Sequence, residues 1–480
     1  MDAYKEKFIS FLLNTGALKL GGDFSLKSKR LSPWFVNIGD FNDGESSSVL
    51  GSFYADSILN SGLAFDILYG IPEKGNALAV ATSIEMSKKG RNVPWFFTRK
   101  TPKEYGEATN LTQAERIKAL VVGRAPQGGQ AVVQLDDVFT AGDAKYQARE
   151  VLQSLGDFNL PLLAIAVDRQ EVGIDGKGAI DEYEDKTRTR VVSIVNATEV
   201  YNFLKKNAPL KTASGEIKKE DVERMANYLS VYGTEKAKNA IEKRDEQVII
   251  PRDKSVVVAC DVPSLEEFET LVKETTDVEG IGGYKIGFEL ALGYGLGKVV
   301  EAARKHTDKA IIYDHQKAAT DIPDTGKNFA QVCKKAGVDA VILFPQSGPE
   351  TERAWIYHAL DQGLKVIVGG RMTHPAYSVS EGGFITDEGA LEMYRIAAKA
   401  GINNFVVPGN KPEVITQIKQ LIEAEGVDPI FYAPGFIAQG GSISETAKAA
   451  GSKWHAIVGR GIYQAQDKKV AALEHTSQLK

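Results

Sequence analysis

The sequence predicts an α/β protein of two consecutive domains, a doubly wound, mostly parallel sheet followed by an eight-stranded (β/α)8 barrel. Three observations predict it. The chain has 480 residues, and at about 100–200 residues per domain one hydrophobic core rarely serves such a length. Its first part alternates apolar, strand-like runs with helical stretches, the rhythm of a parallel sheet covered by helices. From residue 255 onward, eight strand candidates recur at fairly regular spacing, which is the count of a TIM barrel. Hydrophobic residues make up 43% and charged residues 25%, an ordinary globular balance that excludes collagen-like, disordered and disulfide-scaffold classes.

The first element, MDAYKEKFISFLLNTG, carries both charges on an amphipathic pattern and has no long apolar core followed by a small-residue cleavage site. It reads as a helix rather than a signal peptide. Strand-like runs follow at 65–71, 93–98, 131–138 and 160–168, with helices at 77–88 and 144–155, and we assign 1–210 to the first domain. Residues 211–248 are charged but place Val222, Met225, Leu229 and Val231 at apolar positions, which predicts a helical connector rather than a loose linker. The barrel domain, 249–480, has its strand candidates at 255–261, 282–286, 310–314, 339–343, 365–369, 404–407, 429–433 and 454–459. After the first of these, Ser264 and Glu267 form an S-x-x-E capping box, and Leu265, Phe268, Leu271 and Val272 share one helical face.

The formal net charge is −5, so no global field points to nucleic acid or an anionic membrane, and any phosphate site must be local. No run approaches ~18 apolar residues, the length of a membrane span. The two cysteines, Cys260 and Cys333, have neither metal-ligand spacing nor a disulfide framework, which fits a reducing cytoplasm.

The run AVVQLDDVFTAGDA, 131–144, is an apolar strand, then Asp136 and Asp137, then a small-residue turn opening a helix. Backbone N–H groups at such a turn bind phosphate, and paired carboxylates accept ribose hydroxyls. A lone D-D-x-x-T is more often a capped βα turn, but this one has company. It resembles the phosphoribosyl-pyrophosphate motif of the type I phosphoribosyltransferases, and other segments narrow the resemblance to the orotate phosphoribosyltransferases over about residues 1–205: FSLKSKRLSPWFVN, GIPEKG, RKTPKEYGE and DRQE, in the family's order. The resemblance implies that Lys27, Trp34 and Phe35 lie near the base and reacting centre, and that Lys74 binds pyrophosphate. It further implies that Arg99, Lys100 and Lys103 sit on a closing catalytic loop, that Asp136, Asp137, Thr140, Ala141 and Gly142 cradle the substrate, and that Arg169 meets orotate. Displacing pyrophosphate builds negative charge on the leaving group, so cations and a Mg²⁺ carried mainly on its oxygens are expected. Tyr105 stands where the family generally has His. Asp143 stands where it has Thr or Ser, so either its carboxylate points away or phosphate affinity falls, with Lys145 able to offset the charge.

In a TIM barrel, catalytic side chains sit at the C-terminal ends of strands. There this chain has Asp261, Lys285, Asp314, Lys317 and Asp321. Buried Asp and Lys are costly unless paired, so the array is an ion network or an active site, and its place on the rim favours the latter. Over about residues 250–475 the pattern resembles the orotidine 5′-monophosphate decarboxylases, through CDVPS, YKIG, DHQKAATDIPDT, MTHP, VPGNKPE, APGFIAQGG and IVGRGIY. The resemblance implies that Asp261 and Lys285 hold ribose hydroxyls and that Thr373 contacts the pyrimidine. Gln439 and Arg460 would grip the 5′-phosphate, with Gly440, Gly441 and Gly459 admitting backbone amides, and Thr325 and Pro434 would join the substrate contacts. It also implies that Lys317, held by Asp314 and Asp321, stabilises the carbanion and returns the proton without a cofactor, and that Asp321 comes from a neighbouring subunit of a homodimer. The family's D-x-K-x-x-D is altered here: two residues separate Asp314 from Lys317 and three separate Lys317 from Asp321. In a regular strand Asp314 and Lys317 would face opposite sides, so a bulge or early turn at His315–Gln316 must re-aim one of them, or the roles are distributed differently, with His315 a minor candidate.

The two halves together resemble the bifunctional uridine monophosphate synthases, which join orotate to phosphoribosyl pyrophosphate and decarboxylate the product to UMP. Two alternatives stand beside this reading. The barrel could serve a related Mg²⁺-dependent sugar-phosphate decarboxylase or synthase, or the chain could be a non-catalytic nucleotide sensor.

Overall fold

A computed structural model of the chain describes residues 1–26, 28–99, 120–139, 143–173, 176–241, 247–315, 318–434 and 445–479, apart from the side chains of residues 143 and 446. These fall into two units, Met1–Ile241 and Glu242–Lys480.

In the first unit, β1 (Leu18–Ser25) and β2 (Leu31–Val36) form an antiparallel hairpin. The central sheet holds β3 (Ile67–Gly70), β4 (Trp95–Thr98), β5 (Val121–Gly123), β6 (Ala131–Leu135), β7 (Val138–Phe139), β8 (Asn159–Asp168) and β9 (Arg190–Asn196). Its order is β5-β4-β3-β6-β8, with β7 and β9 also paired to β8, and every pair but β4–β5 is parallel. A parallel sheet is covered on both faces, so its strands are apolar almost throughout, as the four expected runs are. Ile67, Tyr69, Phe96, Val132, Leu163 and Ile165 pack with Tyr183 into its core. The expected helices are present at Lys74–Lys88 and Asp143–Leu155.

Residues 211–248, expected as a connector, contain helices, but the longer one is built into the first unit. A short hairpin, β10 (Leu210–Thr212) with β11 (Gly215–Ile217), leads to helix Lys219–Tyr232. Val222, Met225, Tyr228, Leu229, Val231 and Tyr232 are buried there. Arg224 reaches back to Asp23 on β1 at 2.7 Å, and the backbone of Tyr232 accepts from Val172 N–H. An apolar helical face is stable only when covered, and here the first unit covers it.

The second unit is a closed barrel of eight parallel strands: β12 (Lys254–Cys260), β13 (Ile281–Ile286), β14 (Ala310–Tyr313), β15 (Ala340–Leu343), β16 (Lys365–Gly369), β17 (Asn404–Val406), β18 (Ile430–Pro434) and β19 (Trp454–Val458). Val257, Ile312, Ile342, Ile367, Ile430 and Tyr432 share its core. Ser264 caps helix Leu265–Thr275 by accepting from Glu267 N–H, and the Glu267 carboxylate accepts the Ser264 hydroxyl proton at 3.3 Å. Cys260 and Cys333 are free and buried, and no helix among the described residues is long and apolar enough to cross a membrane.

Candidate functional sites

In the first unit, β3, β4, β6 and β8 run parallel, so their C-terminal ends share one edge of the sheet, where open α/β folds place ligands. Lys74 follows β3, Arg99 follows β4, Asp136 and Asp137 follow β6, and Arg169 follows β8. Two glycines allow the close packing. A Cβ on Gly75 would stand 2.4 Å from the Leu135 carbonyl oxygen, and one on Gly70 would stand 2.3 Å from that of Gly75. The Gly70–Gly75 turn therefore lies against the end of β6 and brings the Lys74 ammonium to 2.5 Å from Asp137 Oδ2. Lys74 is half exposed, and its cationic end is open to an anion arriving from solvent.

Asp136 points elsewhere. Its Oδ2 is 2.6 Å from Lys145 Nζ, with both side chains buried, and its Oδ1 accepts from Asp137 N–H at 2.9 Å. Lys145 also donates to Val138 O at 2.7 Å, and the Tyr54 hydroxyl donates to the backbone oxygen of Asp136. Burial raises the Asp136 carboxyl above its ordinary value, against the pull of Lys145. Of the acidic pair, Asp137 is thus the one beside an exposed cation, while Asp136 anchors the start of helix Asp143–Leu155. Lys145, named above as able to offset Asp143, is the partner of Asp136.

Arg169 is buried, its guanidinium carbon 4.0 Å above the Trp34 ring. Its Nε and Nη2 both lie 2.7 Å from Glu171 Oε1, and Nη2 donates to Ser32 Oγ at 2.9 Å. Trp34 and Phe35, both placed near the base by the resemblance, point to opposite faces of β2. Trp34 is wholly buried beneath Arg169, whereas Phe35 is half buried and stacks on Phe24 at 5.7 Å.

The barrel rim gathers the expected charges. Lys285 on β13 is buried, 2.9 Å from Asp314 Oδ2 and 3.9 Å from Asp261 Oδ1. Burial pulls its ammonium down, but Asp314 and Asp261 outweigh that and raise it above its ordinary value. Asp314 Oδ1 is buried without a partner among the described residues, so it can take one more donor. The strand stops at Tyr313, and Ala318 N–H donates to His315 O at 2.6 Å; Gln316 and Lys317, between them, lie outside the described residues. Ala319 sits at φ +65°, a left-handed conformation uncommon for alanine, and Phe344 N–H holds Ala318 O. His315 Nδ1 lies 2.7 Å from the Tyr313 hydroxyl, whose ring stacks on Phe329, an engagement that suits a structural role.

Asp321 is exposed, its Oδ1 accepting only the neighbouring Ile322 N–H among the described residues. Thr325 turns its hydroxyl to Ile322 O. Thr373 is exposed after β16, its carbonyl held by Asn410 at 3.2 Å. Pro434 ends β18, and Gly459 and Arg460 follow β19, with Arg460 exposed. All these strand ends open on the same mouth. Lys27, Lys100, Lys103, Tyr105, Thr140, Ala141, Gly142, Lys317, Gln439, Gly440 and Gly441 lie outside the described residues, as does the Asp143 side chain.

Lys145, Glu171 and Ser32 are site residues that sequence reading did not single out for these contacts. One signal existed for Lys145: it lies on the helical stripe of Ala148, Leu152 and Leu155, where a lysine must find a buried partner.

Comparison with known proteins divides the chain in the same way. The family model described as "Orotidine 5'-phosphate decarboxylase / HUMPS family" matches residues 254–475. The N-terminal half is 39% identical over 212 residues to "Orotate phosphoribosyltransferase" of Pseudomonas fluorescens (strain SBW25), covering 44% of this chain and 93% of that protein. The protein of the same name from Pseudomonas aeruginosa (strain PAO1) is 38% identical over 212 residues, with the same coverage, 44% and 93%. Among solved structures, the orotidine 5'-monophosphate decarboxylase of Methanocaldococcus jannaschii complexed with inhibitor BMP aligns at 27% identity and a TM-score of 0.42, covering 48% of this chain and 100% of that one.

Proposed function

The chain belongs to the orotate phosphoribosyltransferase family through its N-terminal half and carries a decarboxylase-family domain in its barrel, and on that premise we propose that it makes UMP in two consecutive steps. The first unit transfers the phosphoribosyl group to orotate and releases pyrophosphate. The barrel then removes CO₂ from orotidine 5′-monophosphate. The observation that carries the second step is the buried Lys285 held by Asp314 and Asp261 at the barrel mouth, with an oxygen of Asp314 left for a further donor. The sugar-phosphate and sensor alternatives are not favoured, because the first unit belongs to the family that produces the decarboxylase's substrate.

In the first site, Lys74 and Arg99, joined by Lys100 and Lys103, take up charge on the departing pyrophosphate, and Asp137 accepts from the ribose. Asp136 and Asp137 are each already paired with a lysine, Asp136 with buried Lys145 and Asp137 with half-exposed Lys74. A Mg²⁺ carried on substrate oxygens would meet Asp137, the carboxylate whose lysine faces solvent, and when bound it would withdraw charge from the leaving group. Arg169 meets the orotate carboxylate.

In the second site, Asp261 and Lys285 fix the ribose, Thr373 meets the pyrimidine, and Arg460 with Gln439 holds the phosphate. Lys317, kept charged by Asp314 and by Asp321 of a second subunit, stabilises the carbanion and returns its proton. An ammonium and carboxylate about 4 Å apart attract by about 4 kcal/mol at an effective dielectric near 20, enough to hold the charged form. Exposed apolar Ile322 beside Asp321, and exposed Phe288 and Leu292 in the helical segments after β13, support burial against a second copy. The cysteine usage supports a cytoplasmic location. Two variants test the division of labour: Lys317→Ala should abolish decarboxylation and leave orotate consumption intact, and Asp137→Ala should do the converse. Decarboxylation by the first variant, or unchanged transfer by the second, contradicts the assignment.

A further inference from the structure

The guanidinium of Arg169 has five N–H donors, and the structure commits four of them. Nε and one Nη2 donor go to Glu171 Oε1, each at 2.7 Å, and the other Nη2 donor goes to Ser32 Oγ at 2.9 Å. One Nη1 donor goes to the Trp34 carbonyl at 3.5 Å, which leaves one Nη1 donor without an acceptor among the described residues. The plane of the group is thereby fixed over the Trp34 ring, with Nη1 as the end left for another acceptor.

The chain between these residues is built for the purpose. Gln170 sits at φ +52°, an uncommon conformation for a residue with a side chain. Its N–H donates to Asp168 Oδ1 at 2.7 Å, its carbonyl accepts from Thr234 N–H at 2.8 Å, and its Oε1 accepts from Thr198 N–H at 2.9 Å. Glu171 pairs its backbone with Gly233, and Glu171 Oε2 lies 3.9 Å from the buried Arg30 guanidinium. Three elements thus hold one turn that places a carboxylate beside Arg169.

We infer that Glu171 is a positioning residue that acts through Arg169, aiming Nη1 at the carboxylate of the pyrimidine and so setting the preference for a carboxylated base. This rests on the proposed contact between Arg169 and that carboxylate. The test is steady-state transferase kinetics of the full chain with orotate and phosphoribosyl pyrophosphate varied in turn, for Glu171→Ala, Glu171→Gln, Arg169→Ala and the Glu171→Ala/Arg169→Ala double variant. Glu171→Ala should raise KM for orotate about 10- to 100-fold, the range for losing a charge-assisted hydrogen bond. KM for phosphoribosyl pyrophosphate should change less than about 2-fold, a split that general damage to the unit would not produce. Glu171→Gln, which keeps an accepting oxygen, should fall between wild type and alanine. The double variant should match Arg169→Ala alone, since a residue acting through Arg169 has nothing left to position. If Arg169→Ala impairs orotate binding but Glu171→Ala does not, or worsens it further in the double variant, the inference about Glu171 is overturned while Arg169 keeps its role. If Arg169→Ala leaves KM for orotate unchanged, the contact itself is wrong and the inference falls with it.

Discussion

Lys145→Met isolates the buried pair at the root of the phosphate-binding turn. Methionine keeps the apolar stem and deletes the ammonium 2.6 Å from Asp136, where the two side chains are 6% and 9% exposed. The carboxylate left behind has two options. Staying ionised and unpaired costs about 3–5 kcal/mol, the range for breaking a buried ion pair. Taking a proton at pH 7 costs about 4 kcal/mol from an ordinary value near 4, and less here because burial already raises Asp136. The cheaper option wins, so the expected loss is about 3–4 kcal/mol. Its pH dependence has a definite sign. A carboxyl raised in the fold favours the fold when protonated, and that advantage is lost as pH rises through its folded value. Removing Lys145 moves that value further up, so the deficit should be larger at pH 8 than at pH 6. Urea unfolding followed by loss of transferase turnover reads the first unit, and adding Asp136→Asn should recover at least about 2 kcal/mol. A deficit under about 1 kcal/mol, or one equal at both pH values, refutes the buried pair.

Asp168, raised by burial to about 6 from 3.8, favours the fold when protonated, so its contribution is present below about pH 4 and lost as pH climbs through 6. The gap corresponds to at most about 3 kcal/mol; Asp168→Asn should flatten the stability–pH slope in that window, and an unchanged slope contradicts the assignment. Gly409 carries no side chain because a Cβ would stand 1.4 Å from the Pro434 carbonyl oxygen. Gly409→Ala must part the loop after β17 from the end of β18, at a cost of about 3 kcal/mol and with a raised KM for orotidine monophosphate, which barrel unfolding and decarboxylation assays read. EDTA should stop phosphoribosyl transfer and leave decarboxylation of added orotidine monophosphate intact; loss of decarboxylation would favour a metal-dependent barrel chemistry.

The barrel was legible because each strand is a short apolar run between polar or glycine-bearing loops, and boundaries fall within about two residues of those expected. β1 was not, because Gly21 and Gly22 interrupt its pattern and the β1–β2 register shifts between Leu20 and Phe24. β9 was missed because it is only partly buried. The helical character of 211–248 could be read from Val222, Met225 and Leu229, but its covering surface lies on β1 and β2, far off in sequence, and periodicity carries no information about that. Asp261, Lys285 and Asp314 meet because barrel closure converges their strands. The left-handed conformation of Ala319, beyond the barrel strand, is one that no local pattern announces.

The central claim is that one chain performs both steps, and incubation with orotate, phosphoribosyl pyrophosphate and Mg²⁺, sampled over time with orotidine monophosphate and UMP separated, tests it most directly. We expect orotate to be consumed and UMP and CO₂ to form stoichiometrically with pyrophosphate. Accumulation of orotidine monophosphate without UMP would contradict the barrel's role, and unconsumed orotate would contradict that of the first unit.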